Sequence, residues 1–96
     1  MQGRRIEDPG DRFAAAQDGR LKEGDYFKDA EGGWNVCVPN CDPSCPSHIT
    51  NNGPGNANWS VTEHEDGTIT VSPSILVRSN IERYHGHLVR GEWRSC

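Results

Sequence analysis

The chain has 96 residues, 32% of them hydrophobic, with a formal net charge of -4 and a mean hydropathy of -0.83. That length holds one domain with a small core, and small cores of this kind commonly need a staple: a metal, a disulfide or a partner subunit. The acidic balance argues against specific nucleic-acid binding, which wants a basic face. No apolar run reaches the ~20 residues that a bilayer span requires, so no membrane association is expected.

Residues 1–20 are polar and punctuated by Gly and Pro. The arginines near the start are not followed by an apolar stretch, so a signal peptide is not expected. The expected location is the cytoplasm, where disulfides are disfavoured. Asp11 can cap a short helix through Phe13, Ala14, Ala15 and Ala16, with Gly19 as its stop. Two turns are marginal without packing. Residues 1–20 therefore read as a mobile N-terminal arm and 21–96 as the folded domain.

Leu21 to Phe27 opens the domain, and Lys28 to Gly33 reads as a turn. Trp34 to Val38 alternates with period two, as a strand does. Residues 39–58 are rich in Pro, Gly and Asn and contain Cys41 and Cys45. So long a loop is unusual in a compact domain, and reads as functional, metal-organised or disordered. Trp59 to Glu63 and Thr68 to Val71 form a hairpin around Glu65-Asp66-Gly67. Pro73 lacks an N–H and is expected to end that ladder, with Ile75 to Val77 as a further short strand. His87 to Val89 and Glu92 to Arg94 flank Arg90-Gly91, a tight hairpin. The sum is an all-β single small domain of about six short antiparallel strands, a sandwich or partly open barrel, with an N-terminal arm.

The charges are unevenly spread. No Lys or Arg occurs from Gly33 to Val77, whereas Arg78 to Cys96 carries Arg78, Arg83, Arg90 and Arg94 together with His85 and His87. A solvated strand face accounts for this pattern, and an anion or an acidic protein surface is the sharper alternative.

Cys37, Cys41 and Cys45 are spaced four apart, and His48 follows three residues on. Thiolate and imidazole donors in a polar loop suit a tetrahedral Zn²⁺. The candidate ligand set is Cys41, Cys45, His48 and His85, with His87, Cys96 or Cys37 as substitutes. The spacing is not the paired C-x₂-C of ribbons and fingers, and disulfides or free thiols remain alternatives to zinc. His85 and His87, two apart on a strand, share one face and could meet a metal or a phosphate. Trp34, Trp59, His87 and Trp93 are candidate binding residues, although such tryptophans more often fill the core of a small β-domain. No H-E-x-x-H helix and no Gly-rich phosphate cradle is present, and no catalytic residue is assigned.

Two stretches carry a resemblance: Glu63-His64-Glu65-Asp66-Gly67-Thr68-Ile69-Thr70-Val71-Ser72-Pro73-Ser74-Ile75-Leu76, and Tyr84-His85-Gly86-His87-Leu88-Val89-Arg90-Gly91-Glu92-Trp93-Arg94. Together they resemble a domain-of-unknown-function family common in tailed bacteriophages and prophages, over residues 21–94. Tyr84 stands where that family usually has Trp, and His87 where it usually has Tyr or Phe. The resemblance implies a phage or prophage origin and no established activity. The expected function is accordingly that of a small phage-encoded accessory protein acting by protein binding, with a structural zinc as an option. The partner would be a host or virion protein, homo-oligomers are allowed, and the setting is the infected bacterial cytoplasm or the virion. A minor head or tail component and a small metal-dependent enzyme are the two alternatives.

Overall fold

The computed structural model describes residues 1–44, 46–49, 60–78 and 83–95. Its elements in chain order are β1 (Arg4–Arg5), α1 (Arg12–Gln17), β2 (Asp25–Lys28), β3 (Trp34–Val36), β4 (Ser47–Ile49), β5 (Ser60–Glu63), β6 (Ile69–Arg78), β7 (Arg83–Val89) and β8 (Glu92–Ser95). The strands form two four-stranded sheets, β1-β2-β3-β4 and β5-β6-β7-β8. The fold is all-β, with one helical element of 6 residues among the described residues, as the alternation of apolar positions foretold. Among the described residues no helix is long and apolar enough to cross a membrane.

The two sheets pack face to face around one core. The first contributes Tyr26, Trp34, Val36 and Ile49, joined by Val38 and Cys41 from the segment after β3; the second contributes Ile69, Val71, Ile75, Tyr84, Leu88 and Trp93. Each fully buried aliphatic or aromatic side chain here contributes about 1.5–3 kcal/mol. A smaller cluster of Ala15, Leu21, Phe27 and Cys37 lies elsewhere, with Ile6 packed against it. Tyr26 and Phe27, neighbours on β2, thus enter different clusters, as successive strand side chains must. The first sheet is consequently apolar on both faces.

The first twenty residues, expected as a mobile arm, lie against this domain. β1 pairs in parallel with β2, Met1 exchanges backbone hydrogen bonds with Trp93, and Gln2 bridges to Glu92. Residues 1–6 therefore cross from the edge of one sheet to the edge of the other. Asp11 caps α1 by accepting from Ala14 N, as its position predicts, and Ala15 is fully buried. The Arg4 guanidinium grips the buried Asp25 carboxylate through two bonds, 3.1 and 2.8 Å. A second tie joins the sheets where Glu63 of β5 meets Arg5 at 3.2 Å and Lys28 at 3.5 Å.

Two strand expectations change. The span 39–58 is not loop throughout, because β4 pairs antiparallel with β3 and buries Ile49 opposite Trp34; three residues are too few for an alternation to be read. Pro73 does follow the last described pair of the β5–β6 ladder, Ser60 with Ser72, but Ile75 to Val77 is not a separate strand. β6 runs through Pro73 without a break from Ile69 to Arg78, because the ladder to β7 is interrupted there by a bulge.

Candidate active site

The bulge is defined by its register. Val71 pairs with Leu88 and Ile75 pairs with Gly86, so Ser72, Pro73 and Ser74 stand opposite His87 alone. Extra residues on one strand leave backbone without ladder partners and re-aim the side chains they carry. Pro73, with no N–H to pair, fits such a place. β7 is regular across from it. Tyr84, Gly86 and Leu88 are buried while His85 and His87 point away from the core.

That geometry brings Ser74 and His85 together. The His85 Nε2 atom lies 3.3 Å from Ser74 Oγ, across the Ile75–Gly86 pair. His87 Nδ1 lies 2.8 Å from the Pro73 carbonyl oxygen. A hydroxyl beside a solvent-facing imidazole is the arrangement that nucleophilic catalysis uses, with the ring taking the hydroxyl proton; such bonds are commonly loose before substrate binds. Among the described residues, no carboxylate is hydrogen-bonded to either imidazole.

The floor beneath this pair is aromatic. Tyr84 and Trp93 meet edge to face, their ring centroids 5.6 Å apart, and Trp93 Nε1 donates to the Gly24 carbonyl at 3.0 Å. Gly86 is required by close approach: a Cβ there would come within 2.5 Å of the Arg94 carbonyl and 2.8 Å of Tyr84 Cζ. The β7–β8 turn is the two-residue form expected, with φ of 46° at Arg90 and 77° at Gly91, the left-handed pair that matches strand twist.

A second imidazole–hydroxyl pair lies elsewhere. His64 Nε2 is 2.7 Å from Thr70 Oγ1, which also accepts from Arg90 N at 3.0 Å. His64 lines a shallow depression of ≈510 Å³ with Glu63, Glu65, Asp66 and Arg90. These bonds tie the β5–β6 hairpin to the β7–β8 hairpin.

Those of the predicted metal ligands that lie among the described residues are dispersed. Cys41 is buried in the main core and Cys37 in the smaller cluster. Burial pushes the Cys37 thiol up to about 12, and its Sγ faces the Pro43 carbonyl at 3.9 Å. His48 is exposed on β4 with Nε2 3.6 Å from Asp29 Oδ2. His85 and His87 stand on the other sheet. Cys45 and Cys96 lie outside the described residues, as does Trp59. Among the described residues no three His, Cys, Asp or Glu side chains are grouped to hold a metal. Trp34 and Trp93 are core residues; the Trp34 ring is also flanked by Arg5, whose guanidinium carbon is 5.0 Å from its centroid, and by Lys28 at 5.7 Å.

Residues 13–96 match the family model BubE, described as bacterial ubiquitination-like system serine protease. The chain belongs to the BubE family. No curated protein and no solved structure matches it. Membership replaces the function expected from sequence. A phage accessory protein acting by binding, a virion component and a metal-dependent enzyme all give way, because the BubE description names serine proteolysis in a bacterial system. The residue beside His85 that sequence reasoning did not single out is Ser74. Its available signal was a serine beside a proline, shortly before two histidines on one strand face.

Proposed function

We propose that this BubE-family protein is a serine protease of a bacterial ubiquitination-like system, with Ser74 as nucleophile and His85 as general base. The observation that carries the reading is the 3.3 Å approach of His85 Nε2 to Ser74 Oγ on the open face of the second sheet. Family membership supports the reaction class.

The chemistry runs in two halves. Ser74 Oγ attacks the carbonyl carbon of a scissile peptide bond while its proton passes to the neutral His85 imidazole. The tetrahedral adduct collapses, the C–N bond breaks, and His85 returns that proton to the departing amine. Water then attacks the acyl-serine ester, giving its proton to His85. Ester cleavage releases the carboxylic acid and restores the Ser74 hydroxyl. The site sits on strands rather than in a deep cleft, which suits an extended segment of a protein substrate. The substrates are proteins of that same system.

Labelling with a fluorophosphonate probe, followed by peptide mass mapping, tests this. The adduct is expected on Ser74, to vanish in Ser74→Ala, to fall at least about 100-fold in His85→Ala, and to persist in Ser72→Ala. An adduct mapped to another residue, or a Ser74→Ala variant labelled like wild type, would overturn the reading.

A further inference from the structure

We infer that His87 is a positioning residue whose Nδ1–H bond to the Pro73 carbonyl sets the aim of the Ser74 hydroxyl. This rests on Ser74 being the nucleophile. A carbonyl oxygen only accepts, so at 2.8 Å the imidazole must donate through Nδ1. It can do so in both the neutral and the protonated ring, since Nδ1–H is present in each.

The location of the bond gives it leverage. The Pro73 carbonyl belongs to the peptide unit that joins Pro73 to Ser74. That unit is planar and rigid, so holding its oxygen also holds the Ser74 nitrogen and limits where Ser74 Oγ can reach. The restraint matters because the ladder is interrupted between Val71 and Ile75. Three residues stand there opposite one, and Pro73 has no N–H to contribute. His87 is the residue they face, and its side chain supplies a tie at the centre of the bulge. His85 and His87 are two apart on β7. One strand therefore carries both the base and the clamp on the serine's backbone, which fixes serine and base in a common frame. Misplacement of a reacting group by about 1 Å can cost on the order of 10²-fold in rate.

Two near-isosteric variants separate this role from simple packing. In asparagine the Nδ2 atom is bonded to Cγ, as Nδ1 is in histidine, so His87→Asn keeps a donor near the same place. His87→Leu keeps the bulk and removes the donor. Fluorophosphonate labelling of the full chain is measured at several probe concentrations, together with the melting temperature of each variant. His87→Leu is expected to lower the maximal labelling rate at Ser74 by about 10–100-fold, with the half-saturating probe concentration unchanged. His87→Asn is expected to recover to within about 3-fold of wild type. Nitrogen chemical shifts of the His87 ring in the wild-type protein give a check that needs no variant: Nδ1 is expected to carry the hydrogen.

Each outcome decides something. Ser74 labelling that is unchanged in His87→Leu, or equally slow in His87→Asn and His87→Leu, overturns this role and leaves the Ser74 reading standing. A change confined to the half-saturating concentration, or a His87 ring protonated only at Nε2, does the same. Should His87→Leu fail to fold, the His87→Asn rate and the ring tautomer decide. A wild-type protein that is not labelled at Ser74 overturns the nucleophile reading, and this inference with it.

Discussion

Gly86 lies between the two histidines of β7, and its replacement by alanine tests the packing beneath the site. The added methyl would sit 2.5 Å from the Arg94 carbonyl oxygen and 2.8 Å from Tyr84 Cζ, with Tyr84 Oη nearer still. The tyrosine tip can swing away, but the carbonyl belongs to β8 and can move only if the β7–β8 ladder opens. Overpacking of this kind costs about 1–3 kcal/mol. Displacing Tyr84 from its edge-to-face contact with Trp93 adds about 0.5–1.5 kcal/mol. The expected total is about 2–4 kcal/mol, a large part of the 5–15 kcal/mol that holds a typical domain together. In a chain of this size it should lower Tm by about 10–25 °C. Thermal unfolding followed by near-UV circular dichroism reads both the midpoint and the Tyr84–Trp93 environment. A Gly86→Ala protein melting within about 3 °C of wild type would refute the close approach, and with it the inward placement of Tyr84.

Other consequences follow from the same packing. With its thiol pushed up to about 12, Cys37 is ionised in only about one molecule in ten thousand at pH 8; it should resist a disulfide-exchange reagent in the native protein and react at once in denaturant, and fast native labelling of Cys37 would contradict its burial. Arg4→Ala leaves the buried Asp25 carboxylate with the Lys22 N–H but without its guanidinium. Because Arg4 is itself half exposed, the expected loss is about 1–2 kcal/mol in urea unfolding, and an unchanged midpoint would remove Arg4 from the tie between β1 and β2. The Asn35 side-chain amide first, then the Gly33 and Glu31 N–H groups, hold the Asp29 carboxyl below the usual carboxylate range. A depressed folded value stabilises above the unfolded value and is lost as pH falls through the folded one. Tm should therefore drop on acidification below about pH 4, and less steeply in Asp29→Asn; equal slopes would argue against Asp29 as an anchor of the β2–β3 turn.

Much of the architecture was legible because burial alternates wherever strands are long enough. Ile69 and Val71 on β6, and Tyr84 and Leu88 on β7, mark inward faces that period two identifies. The Asp11 cap and the Arg90-Gly91 turn follow from local chemistry alone. β1 and β4 escaped detection for a common reason. Two or three residues contain no period, and both strands exist because a neighbour, β2 for β1 and β3 for β4, offers an unpaired edge. The first twenty residues look like an arm in composition, yet Ala15 and Ile6 cover Phe27 on a face of the first sheet that would otherwise be wet. Nothing local to residues 1–20 records that demand.

The bulge escaped for a subtler reason, and with it the site. β6 spends four residues from Val71 to Ile75 where β7 spends two from Leu88 to Gly86. An insertion of two residues preserves parity. Val71 and Ile75 both still face the core, so the strand reads from sequence as though nothing had been inserted. An insertion of one would have turned every later side chain to the wrong face and been visible at once. The single discordant residue is Pro73, at a position where parity points inward but which is exposed. Its missing N–H was read as the end of the β5–β6 ladder, whose last described pair is indeed Ser60 with Ser72; the chain uses the same property to leave the β7 ladder for three residues and return in phase. A device that keeps the core pattern intact while taking three residues out of the β6–β7 ladder is well suited to carry a nucleophile. It takes Ser74 out of the β6–β7 register, with its hydroxyl beside His85 and the preceding carbonyl bonded by His87.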